Sequence, residues 1–189
     1  MKKTFAICFL WFSVVCIAQK DKVYTLSSLA TANKDSVFKI DLSKNHLTSL
    51  PTEIYRCKNL TDLNLSKNKI EMLGDSLSVF QNLRSLNLAH NKLKAIPYVV
   101  FTLTSLTNLS FASNQIEMIP DEITYCQKLE TIDFYDNAIV SISNQLKTLP
   151  ALKSLDLRGV MYGHVFHRKI KDDFKHCKIL IDPPCSCMD

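Results

Sequence analysis

Histidine and cysteine gather near the C-terminus of the chain. His164 and His167 lie three apart, His176 abuts Cys177, and Cys185 and Cys187 stand in the tail "DPPCSCMD". Imidazole and thiolate are ligands of zinc and copper, so a metal site is the first chemistry to weigh. The spacing matches no closed metal pattern, and Pro183 and Pro184 separate the tail from what precedes it. Solvated surface with scattered histidines is the simpler reading, so no metal ligand is assigned. A metal-handling protein built on this cluster stays an alternative. There is no G-x-S-x-G, H-E-x-x-H or Walker A sequence. Neither a catalytic residue nor a cofactor is assigned, and the chain is not expected to be an enzyme.

A second set of residues suits recognition. Tyr135 and Arg158 are 23 residues apart and belong to the types most enriched at interface hot spots. Asp133 and Asp156 share that offset, as do Lys44, Lys67 and His90 among themselves. Together these seven are the candidate partner-binding residues. Any polar sheet face shows such side chains, and that plainer reading stays open beside the functional one.

The offset of 23 runs through most of the chain. Six units start at Val37, Leu60, Leu83, Leu106, Leu129 and Leu152, with no insertion between them. Counted from these starts, positions 4 and 6 are apolar throughout, as at Leu63 and Leu65 or Ile132 and Phe134. Such alternation fits a short strand with one buried face. Position 9 is Asn45, Asn68, Asn91, Asn114 and Asn137, and fails only at Val160. An amide both donates and accepts, so an inward asparagine is expected to satisfy turn backbone groups of its own and the next unit. Position 14 is Leu or Ile in the first five units, followed by proline at Pro51, Pro97 and Pro120. Proline fixes φ where the chain enters its far side, which should be short helix or 3-10 with positions 14, 18 and 21 inward.

This pattern, LxxLxLxxNxLxx(L/I)PxxIxxLxx, resembles the leucine-rich repeat family in its 23-residue, proline-containing class, as found in exported bacterial members. The resemblance covers residues 37–174 and implies an α/β solenoid. That fold is a right-handed horseshoe with a concave parallel sheet and a convex side of short helical or 3-10 turns. A lone strand cannot bury its apolar face, so the units must stack, and the end units need caps. Val23, Leu26, Leu29 and Ala30 at helical spacing predict a capping helix over 24–32, stopped at Asn33. A helix over 166–175 and a final strand "KILI" should close the other end. On the sheet, positions 3, 5, 7 and 8 are expected to point away from the core.

The organisation expected is a secretory leader over residues 1–18, an N-terminal cap over 19–36, repeats over 37–163, and a C-terminal cap and tail over 164–189. The leader has Lys2 and Lys3, an apolar run from Phe5 to Ile17, and a small-x-Ala end at Cys16–Ala18. An uncleaved anchor is the alternative. No second apolar run of membrane length follows. Without the leader, 21 basic residues face 18 acidic ones, a net of +3, and no block of Lys or Arg suggests a nucleic-acid arm. Cys57 and Cys126 both fall at position 21 in place of core leucine, three units apart. At about 4.8 Å per strand they stand roughly 14 Å from each other, too far for a disulfide. Cys177 is assigned to the core as well, and Cys185 and Cys187 to an exposed tail. Sequons at Asn59, Asn64 and Asn108 follow from the repeat consensus and carry no separate weight. The resemblance implies a non-enzymatic exported scaffold that grips a protein or peptide partner through its concave sheet. A carbohydrate-binding or surface-adhesion protein is the second reading.

Overall fold

The computed structural model describes residues 20–160 and 162–184. The expected leader and the tail cysteines Cys185 and Cys187 lie outside the described residues. Each repeat contributes one three-residue strand: β2 (Lys39–Asp41), β3 (Asp62–Asn64), β4 (Ser85–Asn87), β5 (Asn108–Ser110), β7 (Thr131–Asp133) and β9 (Ser154–Asp156). They pair in parallel, each residue opposite the one 23 positions on, as with Leu63 beside Leu86. β1 (Val23–Tyr24) extends this sheet at one edge and β10 (Lys178–Leu180) at the other, giving the order β1-β2-β3-β4-β5-β7-β9-β10. The last pairing sets Ser154 against Lys178, one residue beyond the period.

Opposite the sheet, the chain makes 3-10 turns at Thr52–Arg56, Asp75–Val79, Tyr98–Thr102, Asp121–Tyr125 and Leu146–Thr148. Pro51, Pro97 and Pro120 stand immediately before three of them, in extended backbone with φ of −61°, −61° and −84°. Positions 4, 6, 14, 18 and 21 converge between sheet and turns. Leu63, Leu65, Ile54, Leu77 and Phe80 are almost wholly buried, and Phe111 stacks on Phe134 at 5.6 Å across adjacent coils. Truncating one such side chain costs about 2–5 kcal/mol. A second, two-stranded sheet of β6 (Met118–Ile119) and β8 (Ser141–Ile142) runs along the flank between sheet and turns. Nothing in the periodicity distinguishes it, because its positions follow the same apolar pattern.

The N-terminal cap differs from the expected helix. β1 occupies its first residues, and the helix that follows, α1 (Leu26–Leu29), is a single turn with a Thr25/Ser28 capping box. Strand alternation governs here: Tyr24 and Leu29 are buried, whereas Val23 and Leu26 face solvent. Asn33 starts a 3-10 turn, its side chain accepting from the Asp35 amide at 3.1 Å. At the other end α2 spans His164–Asp173, two residues earlier than expected, and β10 forms within the "KILI" segment. Lys147 ties the last 3-10 turn to α2 through Asp173 at 2.9 Å.

The asparagines form the ladder that the spacing implied, with one correction of direction. Asn91 Nδ2 donates to the Leu88 carbonyl of its own coil at 2.9 Å and to Leu65 of the preceding coil at 3.0 Å. Its Oδ1 accepts from the Ile70 amide, also of the preceding coil, at 3.0 Å. Asn68, Asn114 and Asn137 repeat the arrangement. The amide thus reaches back, not forward. Asn45, with no coil of this type before it, is exposed, and its Nδ2 reaches only the Ser43 carbonyl. Replacing Asn91 by alanine strands backbone groups that water cannot reach, at about 1–3 kcal/mol. A thermal melt of Asn91→Ala should fall by several degrees, while Asn45→Ala should stay close to the parent. Equal melting of the two would contradict the ladder's role.

Candidate interaction surface on the concave sheet

Position 5 has a structural task in every coil. Asp41 Oδ1 accepts from the Ser43 amide at 2.8 Å, Asn64 from Ser66 at 3.1 Å, and Asn87 from Ala89 at 2.9 Å. Asp133 and Asp156 do the same for Tyr135 and Arg158, at 3.0 and 3.1 Å. This is the Asx turn, in which a short polar side chain folds onto the amide two residues on. It ends the strand after three residues. The signal was the run of Asp, Asn and Ser at one repeat position, a choice that surface polarity alone does not require.

The chain then enters the left-handed region. Lys44, Lys67, His90, Ser113 and Asp136 have φ between 53° and 59°, where a side chain costs about 1–2 kcal/mol. Their amides donate to the next coil, as Lys67 to Ala89 at 2.8 Å and His90 to Ala112 at 2.7 Å. Repeated bonding of this kind holds an otherwise disfavoured backbone. Position 8 of the sixth coil is Gly159, at φ 77°, where an added Cβ would stand 2.8 Å from the Asp136 backbone. Position 8 is therefore a turn rather than a strand residue. Position 7 departs from expectation too: Ser66, Ala89 and Ala112 are each only 8% exposed, packed flat between coils.

Two coils break this flatness. Tyr135 rises from position 7 of the fifth coil, 44% exposed, and Arg158 from position 7 of the sixth. Arg158 Nε lies 3.0 Å from Asp156 Oδ1, and Nη2 lies 2.6 Å from Oδ2. Its Cζ stands 5.7 Å from the centre of the Tyr135 ring, a cation–π distance. The hydrogen bond to Asp156, with its charge, raises the guanidinium pKa further. In solvent such a pair adds little stability, and its effect is to bias the orientation of the guanidinium. Among the described residues Nη1 makes no hydrogen bond. Beside the pair a shallow hollow of about 180 Å³ is lined by Ser85, Asn87, Asn108, Ser110, Thr131 and Asp133.

The structure brings Tyr135, Arg158, Asp133 and Asp156 together at the C-terminal end of the sheet. Lys44, Lys67 and His90 share the opposite end of one edge, exposed and separated from Tyr135 by the fourth coil. The candidate residues thus form two groups of opposite charge. The histidines do not converge into a third. His164 and His167 lie on α2, and His176 lies after it against Phe174. Among the described residues no group of three His, Cys, Asp or Glu side chains could hold a metal ion.

The period, the ladder and the stacked parallel strands define a leucine-rich repeat solenoid, and leucine-rich repeat models match residues 35–93 and 104–159, with a two-copy model over 81–123. The chain belongs to the leucine-rich repeat family. No curated protein matches its sequence. Among solved structures, a leucine-rich repeat protein of Leptospira interrogans is 26% identical with a TM-score of 0.60 over 78% of this chain. An internalin from Listeria monocytogenes shares the fold at 21% identity, TM-score 0.66, over 84%. The leucine-rich repeat ectodomain of a plant membrane receptor kinase from Arabidopsis thaliana, in complex with Casparian strip integrity factor 2, is 26% identical, TM-score 0.63, over 79%. This chain spans 43%, 44% and 18% of those three chains. Among the described residues no helix is long and apolar enough to cross a membrane.

The cysteines are set by packing. Cys57 and Cys126 are fully buried at position 21, and Cys177 sits half-buried at the rim of the core. Burial raises all three thiols, Cys126 to about 11, while the Lys34 ammonium opposes the shift at Cys57. At pH 8 a thiol of that pKa is ionised to roughly one part in a thousand, and the thiolate is the reactive form. Cys57 and Cys126 should therefore resist thiol reagents until the protein unfolds. Prompt labelling of either in the native protein would remove position 21 from the core. The unfolded chain ionises nearer the ordinary value of 9, so this contribution to stability is complete below pH 9 and fades as pH rises toward 11.

Proposed function

We propose that the chain is a non-enzymatic, exported recognition scaffold that binds a protein or peptide through the C-terminal end of its concave sheet. The observation that carries this reading is the Tyr135–Arg158–Asp156 arrangement. Four coils keep position 7 small, and two replace it with the residue types that anchor interfaces. Asp156 and the Tyr135 ring bias the arginine toward this orientation, which lowers the entropic cost of binding. A ring, an exposed guanidinium edge and the carboxylates of Asp133, Asp136 and Asp156 suit a ligand with one flat apolar group and one basic group. The plant receptor ectodomain solved with its factor supports a protein ligand, and a single aromatic side chain on this face gives a sugar little to stack on.

Export rests on the leader pattern of residues 1–18 and the likeness to a receptor ectodomain and an internalin. Sequencing the N-terminus of the mature protein should begin at Gln19; Met1 there would mean the leader is retained. For binding, partners captured by the parent protein should be recovered at least tenfold less by Tyr135→Ala/Arg158→Ala. Its melting temperature should not move, since neither side chain faces the core. Recovery unchanged in that variant, but lost on replacing Lys44, Lys67 and His90, would transfer the site to the basic edge. Binding on a glycan array in place of protein capture would favour the carbohydrate reading.

A further inference from the structure

The flank of the solenoid, where each coil leaves its asparagine turn, holds a feature the concave site does not use. Met72 is 77% exposed, Met118 55% and Val140 80%, on coils two, four and five. Methionine fills irregular gaps and adapts to a partner surface. Between the methionines, at the same repeat position in coil three, stands Ala95. Its small side chain leaves a hollow of about 630 Å³ floored by Leu73, Ile96 and Pro97. One position earlier the charges alternate from coil to coil: Glu71, Lys94, Glu117. Glu71 faces Lys92 at 3.7 Å, whereas Lys94 and Glu117 are exposed and form no ion pair among the described residues.

A knob beside a hole, and a cation beside an anion, one coil apart, make a surface complementary to itself. Let a two-fold axis lie in this face, along the chain direction, between coils three and four. Coil three then faces coil four of the second copy, with repeat positions preserved. Met118 of each copy enters the hollow at Ala95 of the other. The same operation sets Lys94 against Glu117 twice and brings Met72 to the Val140 end of the opposite flank. We propose that this flank docks a second copy of the chain in that antiparallel, two-fold arrangement.

Shape and charge select the same axis independently, and this favours a second copy over an unrelated apolar partner. A closed two-fold contact is also the commonest form of self-association. Four coils at about 4.8 Å each make a footprint well below the roughly 800 Å² per partner of a stable interface, so the dimer is weak and concentration-dependent. The concave sheet lies on a different face, and dimerisation leaves two copies of it accessible. A multivalent ligand would then be held more tightly than by either copy alone.

Sedimentation of the purified protein between about 10 µM and about 1 mM tests this, the range in which weak pairs form. The sedimentation coefficient should rise with concentration. Lys94→Glu and Glu117→Lys should each weaken self-association at least tenfold, because each sets like charges together twice. An equimolar mixture of the two variants should associate again. In that pair the introduced carboxylate meets the introduced ammonium, and native Lys94 meets native Glu117. Both positions are exposed, so neither change should move the melting temperature. Met118→Ser should weaken the dimer as well and offers a second route if a charge variant folds poorly. A single monomeric species throughout, self-association indifferent to all three substitutions, or a mixture that stays monomeric would each overturn the proposal.

Discussion

The fold depends on an amide that is shared between coils. A three-residue strand leaves most of each repeat outside regular hydrogen bonding, yet the turn after the strand is packed against its neighbours. Its carbonyls and amides cannot be left unpaired at that depth. One asparagine per coil resolves this, accepting from the coil before it and donating to carbonyls of both. The bond lengths are nearly the same at Asn68, Asn91, Asn114 and Asn137, so each coil must sit at the same offset from the last. That explains a period of 23 without insertion where a loop would otherwise tolerate change. Leucine could fill the volume but could not make the bonds.

The same constraint governs what the concave face can offer. After the strand the chain must turn sharply, so position 5 is engaged in an Asx turn and position 8 in a left-handed residue. Polar side chains that look free on a sheet are therefore partly committed: Asp133 and Asp156 each give one oxygen to the backbone. Asp156 gives its other oxygen to Arg158. The proposed recognition role therefore rests on the side chains that the turn does not use. These are few, and Tyr135 and Arg158 are the largest.

Periodicity made the core, the ladder and the convex turns legible, because a residue type that recurs coil after coil calls for one physical explanation. The N-terminal cap differs for the opposite reason: it occurs once, and helical spacing of Val23, Leu26 and Leu29 fits as well as strand alternation until β2 is there to pair with. The role of position 5 was only partly legible: the recurrence of Asp, Asn and Ser marks it, but each of these residues also suits a solvated face. Small position-7 residues gave no sign of being buried, because alanine and serine are at home in either setting. The grouping of Tyr135 with Arg158 was legible from the offset alone. The fork of Arg158 onto Asp156 was not, as side-chain rotamers decide it.

The asparagine ladder ends in the coils where these two residues stand. A coil's asparagine serves the coil before it, so the turn of the fifth coil would look to position 9 of the sixth. At that point Val160 replaces asparagine, and the Gly159 amide turns to Asp182 at 2.6 Å, beyond β10. Position 7 of the sixth coil carries Arg158 where the first four coils carry Ser or Ala, and β10 follows that coil in the sheet. An arginine can rise there without obstructing a neighbour, and the tyrosine one coil earlier has a side chain to rest against rather than a flat methyl row. The largest side chains of this face thus stand together near the end of the sheet, Arg158 over the Tyr135 ring.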